Sequence, residues 1–204
     1  MGPATGETGA RAALEVLAAE WRTRLDEARA SRLLQFGELL MAWNARINLT
    51  GAHSLDDLIA EHLPDAFALA RAVEGPADLV DVGSGGGLPA LPLAILRPEL
   101  RVTMVEPLAK KLAFLRTATR ELELASVSVK AGRAEALPAG GYDVAVSRAT
   151  FAPAEWVGVA RRLVRPGGRI MVLTVPATEL PGRRTTYQGN RRTLIEVVPE
   201  DRST

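Results

Sequence analysis

Apolar positions recur at three- and four-residue spacing through the first third of the chain, then give way to short apolar runs. Leu14, Leu17, Trp21 and Leu25 form one stripe, which predicts a helix over residues 10–29. Leu33, Phe36, Leu40, Trp43 and Ile47 form a second stripe, and Gly51 is a natural stop for it. Trp21, Phe36 and Trp43 are read as core side chains. Ser54 with Asp57 resembles a capping box that opens a third helix, which Pro64 is expected to kink or break. Residues 1–9 are small and polar and are expected to form a disordered tail.

After Glu74, Gly75 and Pro76 the pattern changes. Apolar runs predict strands at 79–82, 101–105, 126–130, 142–147, 169–175 and 193–198. Helical spacing predicts helices at 88–96, 108–122 and 153–164 between them. This alternation implies an α/β fold, a parallel sheet with helices on both faces. The expected plan is a tail over 1–9, a helical extension over 10–75 and an α/β domain over 76–204.

The first strand ends in Asp81-Val82-Gly83-Ser84-Gly85-Gly86-Gly87-Leu88-Pro89. Glycines let the chain turn tightly and approach a ligand, at an entropic cost that a bare turn does not need. Gly85, Gly87 and Ala90 satisfy a dinucleotide fingerprint. Gly83, Gly85 and Gly87 after Asp81 satisfy the first motif of S-adenosyl-L-methionine (SAM) methyltransferases. Glu106 ends the second strand, where a carboxylate accepts hydrogen bonds from the ribose of either cofactor. Arg133-Ala134-Glu135 falls where an adenine ring lies, and Ser147-Arg148-Ala149 shares the carboxyl edge of the sheet. Only residues 176–204 follow the fifth strand, too few for the substrate domain of a dehydrogenase, so length favours SAM.

With no cysteine among 204 residues, disulfides, thiolate metal ligands and a cysteine nucleophile are excluded. Only His53 and His62 offer imidazole, so no metal is expected. No apolar run approaches the ~20 residues of a membrane span. Residues 1–10 lack the basic and apolar regions of a secretory signal, and a cytoplasmic protein without membrane contact is expected. Net charge is +1, yet Arg161, Arg162, Arg165, Arg169, Arg183, Arg184, Arg191 and Arg192 are accompanied by Glu179 alone up to residue 192. Such a cluster suits a polyanion, or else reflects a chain rich in arginine throughout.

In order, these motifs resemble the RsmG (GidB) family: Trp43-Asn44 with Ile47-Asn48-Leu49-Thr50, His62 with Asp65, the glycine stretch, Lys110-Lys111 with Phe114-Leu115, and Ser147-Arg148-Ala149. That family methylates N7 of one guanine in the decoding-region loop of bacterial 16S rRNA. The resemblance covers residues 32–175. It implies a Rossmann-like class I SAM-dependent methyltransferase with a seven-stranded, mostly parallel sheet, or one shortened at its C-terminal end. It further implies that Gly83, Gly85, Gly87 and Leu88 line the methionine end of SAM, that Glu106 holds the ribose, and that Ala134 and Glu135 hold the adenine. Arg148 would stand between cofactor and guanine, with Asn48, His62 and Asp65 at the pocket mouth. The product would be S-adenosyl-L-homocysteine, the partner 16S rRNA or the small ribosomal subunit, and the enzyme a monomer. The chain departs from the family at Ala66, where serine is usual, at Thr174-Val175-Pro176, where lysine is common, and in a short tail with little room for a last helix.

The residues limit the chemistry independently. Methylation at C5 of a pyrimidine needs a covalent nucleophile, normally cysteine. Enzymes acting on exocyclic amines carry an Asn/Asp-Pro-Pro-aromatic motif where this chain has Ser147-Arg148-Ala149-Thr150. Guanine N7 carries no proton, so its methylation requires alignment and no general base. N7 and O6 both accept, matching an arginine fork, with Arg148 as candidate or else held in a salt bridge. The arginines at 183–192, Arg183 and Arg184 first among them, with Tyr187 for base stacking, are candidates for holding the RNA backbone and splayed bases. Methylation of another RNA or a small molecule, and SAM binding without catalysis, are the alternatives.

Overall fold

The structure, a computed structural model, describes residues 4–199. Four helices lead: α1 (Ala4–Glu20), α2 (Glu27–Asn44), α3 (Leu55–Glu61) and α4 (Leu63–Ala72). Of the expected tail, residues 1–3 lie outside the described residues, and residues 4–9 are helical. A helix propagates one hydrogen bond at a time from a fixed segment, and Ala10 and Leu14 are buried anchors for α1.

The single helix expected over 10–29 is two. Arg22 has φ 50°, and Asp26 caps α2 by accepting the Arg29 N–H at 3.0 Å. The apolar spacing survives the break because Trp21 and Leu25 both pack on the core. The expected cap at α3 forms in its first half, Ser54 Oγ accepting the Asp57 N–H at 3.0 Å, while Asp57 reaches one residue past the N-cap and accepts the His53 N–H at 3.1 Å. Pro64 ends that helix as expected. α3 stops at Glu61, His62 is non-helical with φ −120°, and Pro64 sits in the first turn of α4.

Seven strands follow: β1 (Asp78–Val82), β2 (Arg101–Glu106), β3 (Val127–Ala131), β4 (Tyr142–Arg148), β5 (Val164–Thr174), β6 (Arg183–Tyr187) and β7 (Arg192–Val197). Helices α5 (Ala90–Leu96), α6 (Ala109–Glu121) and α7 (Pro153–Leu163) connect them, with a 3₁₀ turn at Ala134–Ala136. The sheet order is β3-β2-β1-β4-β5-β7-β6. β1 through β5 pair in parallel, and β7 runs antiparallel to both β5 and β6. The Rossmann-like class I architecture is therefore present with all seven strands. β6 was not among the expected strands, and no helix lies between β5 and β6.

Alternating strand residues feed two cores. Leu79, Val144, Val146, Met171 and Leu194 face the helical extension together with α5 and α6. Val80, Ala145, Ile170, Val172 and Ile195 face Trp156, Ala160 and Leu163 of α7. Phe36, Phe67 and Phe114 are fully buried in the first core, each contributing about 1.5–3 kcal/mol. The order reverses between β1 and β4. At such a switch point the connections leave in opposite directions and open a crevice at the strands' carboxyl ends.

Candidate active site

The crevice is built from the segments that leave β1 and β4. Gly83 N–H and Ser84 N–H both donate to the Val105 carbonyl, at 2.9 and 3.2 Å, which folds the glycine loop onto β2. Gly83 has φ +76°, and a Cβ there would collide with the Thr150 side chain. A Cβ on Gly86 would stand 2.9 Å from the Leu49 carbonyl oxygen. Bare backbone is thus required on both sides of the loop, where the segment after β4 and the helical extension close on it.

The extension supplies the opposite wall through residues 45–52, which follow α2. Asn44 organises them. Its Oδ1 accepts the Leu49 and Thr50 N–H groups at 2.8 and 3.0 Å, and its Nδ2 donates to the Thr50 and Ala52 carbonyls at 3.0 and 3.3 Å. The stop attributed to Gly51 therefore comes seven residues earlier, at Asn44, where this side chain takes over the backbone groups.

Between the walls lies an open cleft of about 420 Å³ lined by Asn48, Thr50, His62, Gly83, Gly85, Leu88, Lys111, Arg148, Thr150 and Arg192, among others. Of the residues singled out by sequence, Gly83, Gly85, Leu88, Asn48, His62 and Arg148 are thus brought together. Asp65 lies behind them, fully buried. Glu106 is buried under the loop, and its two oxygens accept the Gly85 and Leu108 N–H groups, both at 2.9 Å. Gly87, Ala134 and Glu135 are outside the cleft lining. Ala134 and Glu135 form the 3₁₀ turn after β3, with Arg162 donating to the Ala134 and Leu137 carbonyls at 2.5 and 2.8 Å.

Arg183 and Arg184 are elsewhere. They sit on the edge strand β6, where Arg183 pairs with Glu196 and Arg184 donates to the Pro176, Thr178 and Leu180 carbonyls. Most of the arginine cluster is likewise committed within the protein: Arg165 to Asp78 and Asp143, Arg169 to Glu196, and Arg191 to Glu61. Tyr187 does not offer a ring for base stacking. It is buried, packs edge-on against Trp21, and donates to Asp65 Oδ1 at 2.6 Å. From the cluster, Arg192 reaches the cleft, joined there by Lys111 from α6. A count of arginines could not separate Arg192 from its neighbours. Lys111 was visible only as part of Lys110-Lys111.

Arg148 ends β4 and meets two partners through one nitrogen. Its Nη1 donates to Asp65 Oδ2 at 3.2 Å and to His62 Nδ1 at 3.1 Å. Arginine only donates, so His62 Nδ1 accepts and its proton sits on Nε2, 3.4 Å from Thr50 Oγ1. Burial, and after it the Arg148 guanidinium, hold His62 below the ordinary imidazole range. The histidine is neutral and engaged at both nitrogens. Asp81 at the end of β1 is also buried, and its Oδ2 has no partner. Burial pushes this carboxyl up to about 7, against a lowering contribution from Ser84 and then from Arg148.

A family model described as rRNA small subunit methyltransferase G (GidB) matches residues 29–198. The chain belongs to the rRNA small subunit methyltransferase G family. It is 37% identical to the ribosomal RNA small subunit methyltransferase G of Geobacter sp. (strain M21) over 186 residues, 89% of this chain and 86% of that one. It is 42% identical to the protein of the same name from Xanthomonas axonopodis pv. citri (strain 306) over 151 residues, 73% and 70% of the two chains. The fold matches a predicted O-methyltransferase of Agrobacterium tumefaciens, with TM-score 0.57 and 18% identity over 68% of this chain and 82% of that one. It also matches a SAM-dependent methyltransferase from Aquifex aeolicus, with TM-score 0.52 and 14% identity over 69% and 91%.

A SAM-dependent methyltransferase of the GidB family must hold a ribose, an adenine and a charged methionine tail, and the residues present fit. Each Glu106 oxygen accepts one backbone N–H and keeps a lone pair for a ribose hydroxyl. The glycine loop leaves open backbone at Gly85. The Asp81 oxygen without a partner is buried in the strand that leads into that loop. Among the described residues no group of side chains could hold a metal ion, and no helix is long and apolar enough to cross a membrane.

Proposed function

We propose that this GidB-family methyltransferase transfers the methyl group of SAM to N7 of a guanine in the decoding-region loop of 16S rRNA, leaving S-adenosyl-L-homocysteine. The carrying observation is the state of the one histidine in the cleft. His62 accepts from Arg148 on one side and faces Thr50 on the other, so no imidazole is free to take a proton from the acceptor. An acceptor atom with an open lone pair and no proton suits this cleft.

SAM supplies an electrophilic methyl on a sulfonium. With SAM bound, transfer to N7 would carry the positive charge from sulfur to the base and would move no proton, so the chain's own residues need supply no general base. The protein's part is alignment, which can supply much of the barrier reduction in such a transfer. N7 must face the methyl, so the arginine fork considered from sequence cannot span N7 and O6 in the reacting pose. Arg148 donates to O6 instead, with Asp65 and His62 fixing its Nη1. Glu106 would hold the ribose, and Ala134 with Glu135 the adenine. Asn48 shapes the mouth from the helical extension. Lys111 and Arg192 supply positive charge where the RNA backbone enters. We place the enzyme in the cytoplasm as a monomer, with the small ribosomal subunit as its partner.

The test mixes the protein with methyl-labelled SAM and small subunits from cells lacking their own N7 methylation. Label at one guanine of 16S rRNA, with chain cleavage there after N7-specific chemistry, is the expected result. Tight SAM binding without label would overturn the assignment and leave a SAM-binding protein.

A further inference from the structure

We propose that the Tyr187 hydroxyl is a positioning group for Arg148: by holding one oxygen of Asp65, it limits Asp65 to a single contact with Arg148 and keeps the guanidinium facing the cleft. This rests on the reading of Arg148 as the guanine-facing residue.

The geometry is specific. Asp65 is fully buried and both its oxygens are occupied, Oδ1 by Tyr187 Oη at 2.6 Å and Oδ2 by Arg148 Nη1 at 3.2 Å. An arginine beside an open carboxylate prefers the two-pronged arrangement, with two nitrogens on two oxygens. Tyr187 occupies the second prong. Arg148 Nη1 consequently divides itself between Asp65 and His62, while Nε and Nη2 make no hydrogen bond among the described residues and remain for a ligand. Tyr187 is itself fixed. It closes β6, is 6% exposed, and its ring meets Trp21 of the helical extension with centroids 5.3 Å apart. The C-terminal hairpin thus reaches the reaction site through one hydroxyl, 122 residues from the carboxylate it holds.

Replacing that hydroxyl leaves Asp65 Oδ1 unpaired in the interior, which is costly for a charged group. Arg148, already bound to Oδ2, is the donor expected to fill the gap, swinging onto both oxygens and away from His62 and the cleft. His62 reports the movement directly. The charges acting on it are Arg148, Asp65, Arg192 and Glu61, and after burial Arg148 is the strongest. The chain has only two histidines, so the two imidazoles are separable by NMR.

The experiment uses full-length Tyr187→Phe, which keeps the ring against Trp21. The His62 titration midpoint is expected to rise toward the ordinary imidazole value, and methyl transfer to small subunits to slow by about tenfold or more, with SAM affinity unchanged. Trp21→Phe is the control for packing alone: it lowers the melting temperature and leaves the His62 midpoint and the transfer rate where they were. The proposal is overturned if Tyr187→Phe moves only the melting temperature, if transfer slows without a change at His62, if His62 moves without a change in transfer, or if Trp21→Phe reproduces both effects. Full transfer by Arg148→Ala would instead refute the role given to Arg148, while the His62 midpoint in Tyr187→Phe still reports whether the hydroxyl sets the arginine's position.

Discussion

Glu106 Oε2 accepts the Gly85 N–H at 2.9 Å, so the last residue of β2 holds the loop that leaves β1. Its other oxygen holds the Leu108 N–H at the entry to α6. One buried carboxylate therefore ties the glycine loop to the entry of α6. Hydrogen bonds to a charged group contribute about 1.5–3 kcal/mol each. Glu106→Ala is expected to weaken SAM binding by at least tenfold in calorimetry, with Glu106→Gln falling between it and the native protein. Unchanged affinity in the alanine variant would remove Glu106 from the cofactor site.

Asn44 binds four backbone groups of the segment that faces the glycine loop. Asn44→Ala is expected to cost about 1–3 kcal/mol and to release residues 45–52 locally. Amide exchange should accelerate at Leu49 and Thr50 well before it does in the sheet. Equal protection of those amides in both proteins would show that packing, not the Asn44 side chain, fixes the segment.

The arginines divide by what they already bind. Arg183 is paired with Glu196 on an edge strand, and charge there also discourages strand pairing between molecules. Arg192 lines the cleft. Arg192→Ala is expected to weaken RNA binding about tenfold and reduce the salt dependence by about one counterion. Arg183→Ala is expected to leave both nearly as they were. Filter binding across a salt series separates the two, and the reverse ranking would return the RNA surface to β6.

Asp81 gives the protein without cofactor a distinctive pH response. Its folded carboxyl, pushed up to about 7, keeps a proton that the unfolded chain releases near its ordinary 3.8. Stability therefore falls as pH rises through that window and levels off above it. Asp81→Asn removes the dependence. It is expected to match the native protein near pH 4 and to be the more stable at pH 8, by up to about 4 kcal/mol. Thermal melts across this range are the check, and a difference independent of pH would mean that Asp81 is ionised throughout.

Six of the seven strands were legible, and the interior strands β1, β4 and β5 read as near-continuous apolar runs because both of their faces are covered. β6 was not. Four of its five residues are exposed, and Arg183, Arg184, Thr185 and Thr186 carry no alternation. The break between α1 and α2 was hidden for the opposite reason, since Trp21 and Leu25 keep helical spacing across a turn that Asp26 ends. What is local to a strand end could be read by position: the glycine loop and Arg148 line the cleft, and Glu106 lies against that loop. Contacts made by topology could not. Nothing near Tyr187 in the chain indicates that β7 folds it back against Asp65, or that Glu196 and three carbonyls absorb Arg183 and Arg184.

One apolar cluster runs without interruption from Leu14 through Phe67 and Leu79 to Leu194. The boundary near residue 75 is therefore a change of pattern and not a seam. A fragment beginning at residue 76 would present to water the faces of α5 and β7 that α2 and α4 cover. A chimaera that exchanged the helical extension between relatives would have to exchange that side of the sheet with it. The helical extension and the sheet share one core and are expected to melt together.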